Sequence, residues 1–279
     1  MSLAIRIDSK DIINRLESSL IVGNTQAMRK MINLSYLVLD SSKNQIISKL
    51  DYYPTIFLYG PPNTGKTTLV YSLFEHLKSK YNNLNLYYLD FSQVMSGEYG
   101  RTSKNLIEVF NDLTQECTIE NPKILLIDEI DQFCITRNKA NEHDASRRAM
   151  SAFLLELDKL HPSRIQGLIV VAISNIEDKI DAAIVRRFNL KINVNDKLTI
   201  DVFRVYLEEL VAIIVSLEFS TSDVENLYNI YLDKNMTIPD IKGCLRDVVT
   251  GSLNEKDITI GTIVEAFNNA YSSVNNVLR

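Results

Sequence analysis

The sequence predicts an α/β fold in which helices cover both faces of a parallel sheet, followed by a smaller helical domain. Short apolar runs alternate with amphipathic segments up to about residue 196. These runs are apolar at nearly every position, which is typical of parallel strands buried on both faces. The five predicted strands are Ile56–Tyr59, Leu84–Asp90, Ile124–Asp128, Leu168–Ser174 and Leu190–Val194.

Helical periodicity predicts the segments between the strands and the end of the chain. The helices of the first part are predicted at Lys66–Lys80, Ser103–Gln115 and Ala145–Leu160. After Asp196 the predicted helices are Thr199–Val215, Ser222–Asp233, Pro239–Val249 and Ile260–Val277. The run Ser222-Asp223-Val224-Glu225 predicts a capping box with Ser222 as N-cap. The predicted regions are therefore a short N-terminal segment (1–20), an α/β nucleotide-binding domain (21–196) and a helical lid domain (197–279).

Composition narrows the class of protein. The chain has 279 residues, 46% hydrophobic and 23% charged, which suits a globular protein with a sizeable core. The net charge of −5 disfavours a domain built mainly to bind nucleic acid, because such domains are usually basic. Its three cysteines are far apart and form no CxxC pair, which disfavours both a disulfide framework and a structural zinc site.

Two further patterns bear on location. The first 20 residues carry six charged side chains and lack the apolar stretch of a signal peptide. Apolar runs such as Leu168–Ile173 are far shorter than the roughly 20 residues that span a bilayer. We therefore expect no membrane span and a cytoplasmic protein, or a nuclear one in a eukaryote.

A phosphate-binding loop follows the first predicted strand. Residues 60–67 read GPPNTGKT, which fits G-x4-G-K-[ST] between a strand and a helix, the context that the motif requires. Successive backbone N–H groups and a helix N-terminus would cradle the phosphates. Lys66 is expected at the β- and γ-phosphates, and Thr67 is expected to bind Mg²⁺. The candidate loop residues are Pro61, Pro62, Asn63, Thr64, Gly65, Lys66, Thr67 and Thr68.

Two carboxylates end the third predicted strand. Asp128 lies where it can hold Mg²⁺, and Glu129 can activate the water that attacks the γ-phosphate. Acidic residues at a strand end are common, but about 60 residues after a phosphate loop they predict an NTPase. The implied ligands are ATP and Mg²⁺.

Polar residues after the fourth and before the fifth strand complete the candidate site. Asn175 follows Leu168–Ser174 and can contact the γ-phosphate or the attacking water, although Asn is also a common turn residue. Arg186 and Arg187 follow a short predicted helix. From the residues alone they are either a solvated surface pair or fingers that enter a neighbouring subunit's ATP site.

These elements, in this order, resemble the AAA ATPases, and among them the meiotic clade of katanin, spastin and the vacuolar sorting ATPase. The resemblance rests on segments between residues 128 and 188, which include DEID (128–131), Arg137, SRR (146–148), FLLELD (153–158), ISNI (173–176) and AIVRRF (183–188). It implies a P-loop AAA+ core with a five-stranded parallel sheet and a small C-terminal helical lid. It also implies an ATPase that works as a homo-hexameric ring, with Arg186 and Arg187 of one subunit acting in trans on the ATP site of the next.

The resemblance assigns further residues. Val22 and Gly23 lie where the family's backbone cradles adenine. Glu98 and Tyr99 lie at the pore loop that grips polypeptide, but Glu98 takes the family's aromatic position and Tyr99 follows it. The segment Leu157–Leu160, with Ser174–Ile176 and Ile180–Asp181, is also similar to ATPases that remodel HORMA-domain proteins.

The function predicted on this basis is ATP-driven remodelling, unfolding or disassembly of a protein client, with client choice on the AAA surface, on the short N-terminus or in an adaptor. One alternative is a DNA-associated AAA ATPase, such as a loader or a component of transposition or defence. A regulatory ATP switch in a larger assembly is the other. DNA-stimulated ATPase activity with steeply salt-dependent binding would favour the DNA-associated alternative.

Overall fold

The protein is seen here as a computed structural model that describes residues 3–17, 23–96, 98, 100–131, 143–161, 164–176, 180–194, 197–252 and 257–270. Contacts between Cα atoms divide the chain into two compact units. The first contains the described residues within 3–17, 25–60 and 65–194. The second contains those within 23–24, 61–64 and 197–270.

The first unit alternates strands and helices. Its strands are β1 (Ala4–Arg6), β2 (Thr55–Tyr59), β3 (Asn85–Leu89), β4 (Lys123–Ile127), β5 (Leu168–Ser174) and β6 (Leu190–Asn193). Its helices are α1 (Ser9–Glu17), α2 (Thr25–Val38), α3 (Asn44–Lys49), α4 (Lys66–Lys78), α5 (Phe91–Val94), α6 (Arg101–Thr114), α7 (His143–Lys159) and α8 (Ala182–Val185). The five strands and three helices predicted for this part are confirmed to within about two residues at each end.

The strands form one sheet in the order β1-β3-β4-β5-β2-β6. Strands β2 to β6 are parallel, whereas β1 pairs antiparallel with β3, placing Ala4 opposite Leu89. The prediction of five strands was therefore wrong in number. Three residues are too few to show a strand period, and β1 exists because the edge of β3 supplies its backbone partners.

Side chains that alternate along the central strands separate two cores. In β2, Phe57 faces one core while Ile56 and Leu58 face the other, and all three are fully buried. Helices α6 and α7 cover the Phe57 side, and α1, α2 and α4 cover the opposite side. Burial on both faces explains why the parallel strands read as continuous apolar runs.

The N-terminal segment also belongs to this unit. Ile12 of α1 is fully buried, and Arg15 Nη1 donates to the hydroxyl of Tyr71 at 3.2 Å. The Arg15 guanidinium lies 5.7 Å from the centroid of the Tyr71 ring, within cation–π range. The described part of the predicted segment 1–20 therefore packs on helix α4.

The second unit is a helical bundle. It contains α9 (Ile200–Ala212), α10 (Thr221–Asp233), α11 (Ile238–Gly251) and α12 (Ile260–Asn269) around one core. The capping box of α10 starts at Ser220, not at the predicted Ser222, since the Asp223 carboxylate accepts from the Ser220 N–H at 3.0 Å. Asp240 caps α11 in the same way by accepting from the Thr237 N–H at 2.7 Å, and Pro239 lies in the first turn, where no N–H is required.

Candidate functional site

The phosphate loop joins β2 to α4. Gly60 has φ 143°, and a Cβ on this residue would lie 2.6 Å from the carbonyl oxygen of Val194, so no side chain fits there. Asn63 has φ 63° and Gly65 has φ 87°, both in the left-handed region. Thr64 Oγ1 donates to the Pro61 carbonyl at 3.0 Å. These local conformations are what the motif predicts between a strand and a helix.

The first turn of α4 places the loop's functional side chains. Lys66 is only 5% exposed, and its Nζ donates to the Gly60 carbonyl at 2.9 Å. Burial lowers the pKa of Lys66 to about 8, although Asp128 and Asp131 oppose the shift. Thr68 lies two positions after Lys66, and its carbonyl accepts from Ser72 Oγ at 2.9 Å. A partly desolvated ammonium beside two carboxylates is suited to receive a polyphosphate.

The two chemical motifs meet across the sheet. Thr67 Oγ1 lies 3.1 Å from Asp128 Oδ2, which joins the start of α4 to the end of β4. A hydroxyl and a carboxylate are hard oxygen ligands of the kind that Mg²⁺ prefers beside substrate phosphates. The pair therefore fits the predicted magnesium site, although no group of three His, Cys, Asp or Glu side chains gathers as a metal site among the described residues.

Glu129 occupies an unusual backbone position. Its φ is 52°, and its N–H donates to Asp128 Oδ1 at 2.9 Å. The residue is exposed, unlike the buried strand that precedes it. Positive φ for a non-glycine residue is uncommon and tends to mark functional sites. The geometry separates a half-buried Asp128 from an exposed carboxylate next to it.

A buried carboxylate that the sequence reasoning did not place in the site connects β4 to β5. Asp131 is 7% exposed, and its Oδ1 lies 2.9 Å from Ser174 Oγ and accepts from the Asn175 N–H at 3.3 Å. Ser174 Oγ accepts in turn from the Ile176 N–H at 3.0 Å. Asp131 therefore fixes the backbone of Asn175 at the end of β5. The third acidic position of DEID was the available signal.

The remaining predicted residues are dispersed over the two units or are not described. Gly23 has φ 75° and lies in the second unit, near Leu198. Arg186 and Arg187 follow α8 in the first unit. Glu98 is exposed and pairs with Arg101 at 2.9 Å. Val22 and Tyr99 lie outside the described residues.

The pKa of Lys66 predicts how ATP affinity depends on pH. Below about pH 8 the ammonium is charged and ready for phosphate, whereas above it the free protein must take up a proton to bind ATP. We expect the dissociation constant for ATP to rise about fivefold between pH 8 and pH 9, as calorimetry would measure. Lys66→Arg, which stays charged, should show no such step whatever its absolute affinity. A flat profile for the unmodified protein would contradict the assignment of Lys66.

A model of a known family matches the segment that contains Lys66, Thr67, Asp128 and Glu129. The family described as "ATPase family associated with various cellular activities (AAA)" matches residues 56–196. Spastin of Ixodes scapularis is 29% identical over 61% of the chain and 24% of its own length. Vacuolar protein sorting-associated protein 4A of Homo sapiens is 34% identical over 49% of the chain and 29% of its own length. The matches thus span under a third of these relatives.

Solved structures share the fold over nearly the full length of the chain. A chain of the E. coli MS115-1 HORMA:CdnC:Trip13 complex is similar with a TM-score of 0.78 and 17% identity, covering 97% of this chain and 95% of that one. C. elegans PCH-2 is similar with a TM-score of 0.61 and 21% identity, covering 99% and 75%. The AAA domain of FIGL-1 with ADP is similar with a TM-score of 0.62 and 18% identity, covering 98% and 94%.

Proposed function

Because the chain belongs to the AAA family of ATPases, we propose that it hydrolyses ATP to remodel a protein client. The observation that carries the proposal is the contact of Thr67 with Asp128, beside Lys66 and Glu129. It brings together a phosphate-binding loop, a candidate magnesium site and a carboxylate able to act as base. The names of the relatives and structural neighbours support a protein, not a nucleic acid, as the client.

Each residue has a proposed role in hydrolysis. Lys66 holds the β- and γ-phosphates, and Thr67 with Asp128 holds Mg²⁺. When bound, Mg²⁺ neutralises charge that develops on the phosphates. Glu129 accepts a proton from the attacking water, and Asn175 orients that water from the end of β5. Asp131 holds Asn175 through its backbone N–H.

The proposed working form is a ring, and a homo-hexamer is the arrangement that the family resemblance favours. Arg186 is exposed on the first unit, where a neighbouring subunit can meet it. An arginine finger supplied in trans would couple hydrolysis to subunit contacts. Glu98 and Tyr99 are proposed to meet the client.

Among the described residues no helix is long and apolar enough to cross a bilayer. We propose a cytoplasmic or nuclear location.

The likeness to the HORMA:CdnC:Trip13 complex suggests a client class. One solved assembly that contains a chain of this fold also contains a HORMA protein. A folded HORMA-type domain that is opened locally is therefore our proposed client.

Capture by a hydrolysis-deficient variant tests this function. Glu129→Gln should retain ATP and hold the client, so we compare the proteins captured by immobilised Glu129→Gln in ATP, in ADP and after nuclease treatment. We expect a captured protein that is held only in ATP and is insensitive to nuclease. Hydrogen-exchange measurements should show that wild-type protein and ATP open this client. The double variant Lys66→Ala/Glu129→Gln is the matched control and should capture nothing. Capture that disappears with nuclease would overturn the proposal in favour of a DNA-associated ATPase.

A further inference from the structure

The adjacent arginines after α8 lie in different surroundings. Arg186 is exposed, and its guanidinium makes no hydrogen bond or ion pair to the part of the chain that the structure describes. The Arg187 side chain is 34% exposed and turns back onto its own subunit. Both positions are arginine in the sequence, but the two side chains make different contacts in the structure.

Three hydrogen bonds hold the guanidinium of Arg187. Its Nε donates to Asp158 Oδ1 at 3.1 Å, and its Nη2 donates to Asp158 Oδ2 at 3.3 Å. Its Nη1 donates to the Ala183 carbonyl at 3.2 Å. A two-point arginine–carboxylate pair fixes direction as well as charge. Arg187 thereby ties the short helix α8 to the end of α7.

The backbone around Arg187 is fixed independently. Thr55, fully buried at the start of β2, donates from Oγ1 to the Arg187 carbonyl at 2.8 Å and accepts from the Asn189 N–H at 3.1 Å. The ring of Phe188 is 1% exposed and lies 5.5 Å from that of Phe57. The residue that follows Arg186 is therefore anchored by its side chain, by its carbonyl and by its neighbour.

We propose that Arg186 alone acts as the finger toward the next subunit, and that Arg187, held by Asp158, positions Arg186. Asp158 is then a positioning residue for hydrolysis in the neighbouring subunit. For Arg187 to act as a finger itself, it would have to leave both Asp158 oxygens and the Ala183 carbonyl. The inference rests on the proposed function, because it assigns parts within hydrolysis between subunits.

A double-mutant cycle tests whether the Asp158–Arg187 pair positions Arg186. Asp158→Asn and Arg187→Ala should each lower kcat about 10- to 100-fold by misplacing Arg186, and leave KM for ATP within about twofold. Their combination should cost no more than either alone, because both remove one interaction. Asp158→Glu should recover most of kcat. Lys159→Gln is the matched control, since it changes the adjacent 2.6 Å pair with Glu156 but not Arg187.

Other results would contradict the positioning role of Arg187 and Asp158. If Arg187→Ala loses as much kcat as Arg186→Ala, and Asp158→Asn hydrolyses at or above the unmodified rate, Arg187 is a second finger and Asp158 restrains it. Additive losses in the double variant would separate the two residues. If Arg187→Ala does not fold, Asp158→Asn against Asp158→Glu carries the test, since both keep the arginine. Failure of the proposed function would look different: Arg186→Ala itself would retain the unmodified rate.

Discussion

Replacing Arg186 by alanine should reduce ATP hydrolysis by about 10³- to 10⁵-fold, the range over which an arginine finger acts. The loss belongs in kcat, because a finger stabilises charge that develops in the transition state and adds little to ground-state binding. The exposed guanidinium has no hydrogen-bonding role among the described residues, so folding stability should not change. Steady-state kinetics, ATP titration and thermal unfolding separate these effects. Arg29→Ala, on the exposed face of α2, is the matched control and should hydrolyse normally.

Mixing subunits decides whether Arg186 acts on a neighbour. An Arg186→Ala subunit keeps its own Lys66 and Glu129, whereas a Glu129→Gln subunit keeps its arginine. Neither hydrolyses well alone, but a mixture should regain activity where the second subunit's arginine meets the first subunit's site. Activity that stays absent at every ratio, or hydrolysis by an isolated subunit, would contradict a mechanism between subunits.

Glu129→Gln should lower kcat by about 10²- to 10⁴-fold, the usual contribution of a general base. The Glu129 N–H bonds Asp128 Oδ1 through the backbone, so the isosteric amide should keep that contact and the Thr67–Asp128 pair. ATP affinity is therefore expected to stay close to that of the unmodified protein. Single-turnover hydrolysis and direct ATP binding measure the two effects separately.

Asp128→Asn is the comparison that separates base from metal ligand. It removes charge from the proposed Mg²⁺ site, so it should raise the Mg²⁺ concentration needed for half-maximal binding, which Glu129→Gln should not. If Glu129→Gln hydrolyses at the unmodified rate, a different residue activates the water. If it loses ATP instead, Glu129 has a binding role.

Local patterns were sufficient to predict most of the first unit. β4 reads as an uninterrupted apolar run because helices bury both of its faces, and the glycines of the loop before α4 mark the conformations that the motif needs. β1 was missed because its three residues are ordered by β3, which is more than 80 residues away. The N-cap of α10 was misplaced by two residues because Ser220 and Ser222 both offer a hydroxyl ahead of acidic side chains.

In the candidate site, too, some residues could be predicted from local patterns, whereas others are defined only by the fold. Lys66, Thr67, Asp128 and Glu129 could be named from short motifs, since phosphate and metal chemistry restrict both residue type and spacing. Asp131 and Asp158 could not, because a carboxylate acquires a role only through its partner. Asp131 meets the end of β5 43 and 44 residues later, and Asp158 meets Arg187 29 residues later. Those partners depend on the order of strands and the packing of helices, which no local spacing encodes. The residue pattern therefore fixes the chemistry that this chain can carry out, whereas the fold fixes which carboxylate supports which polar group.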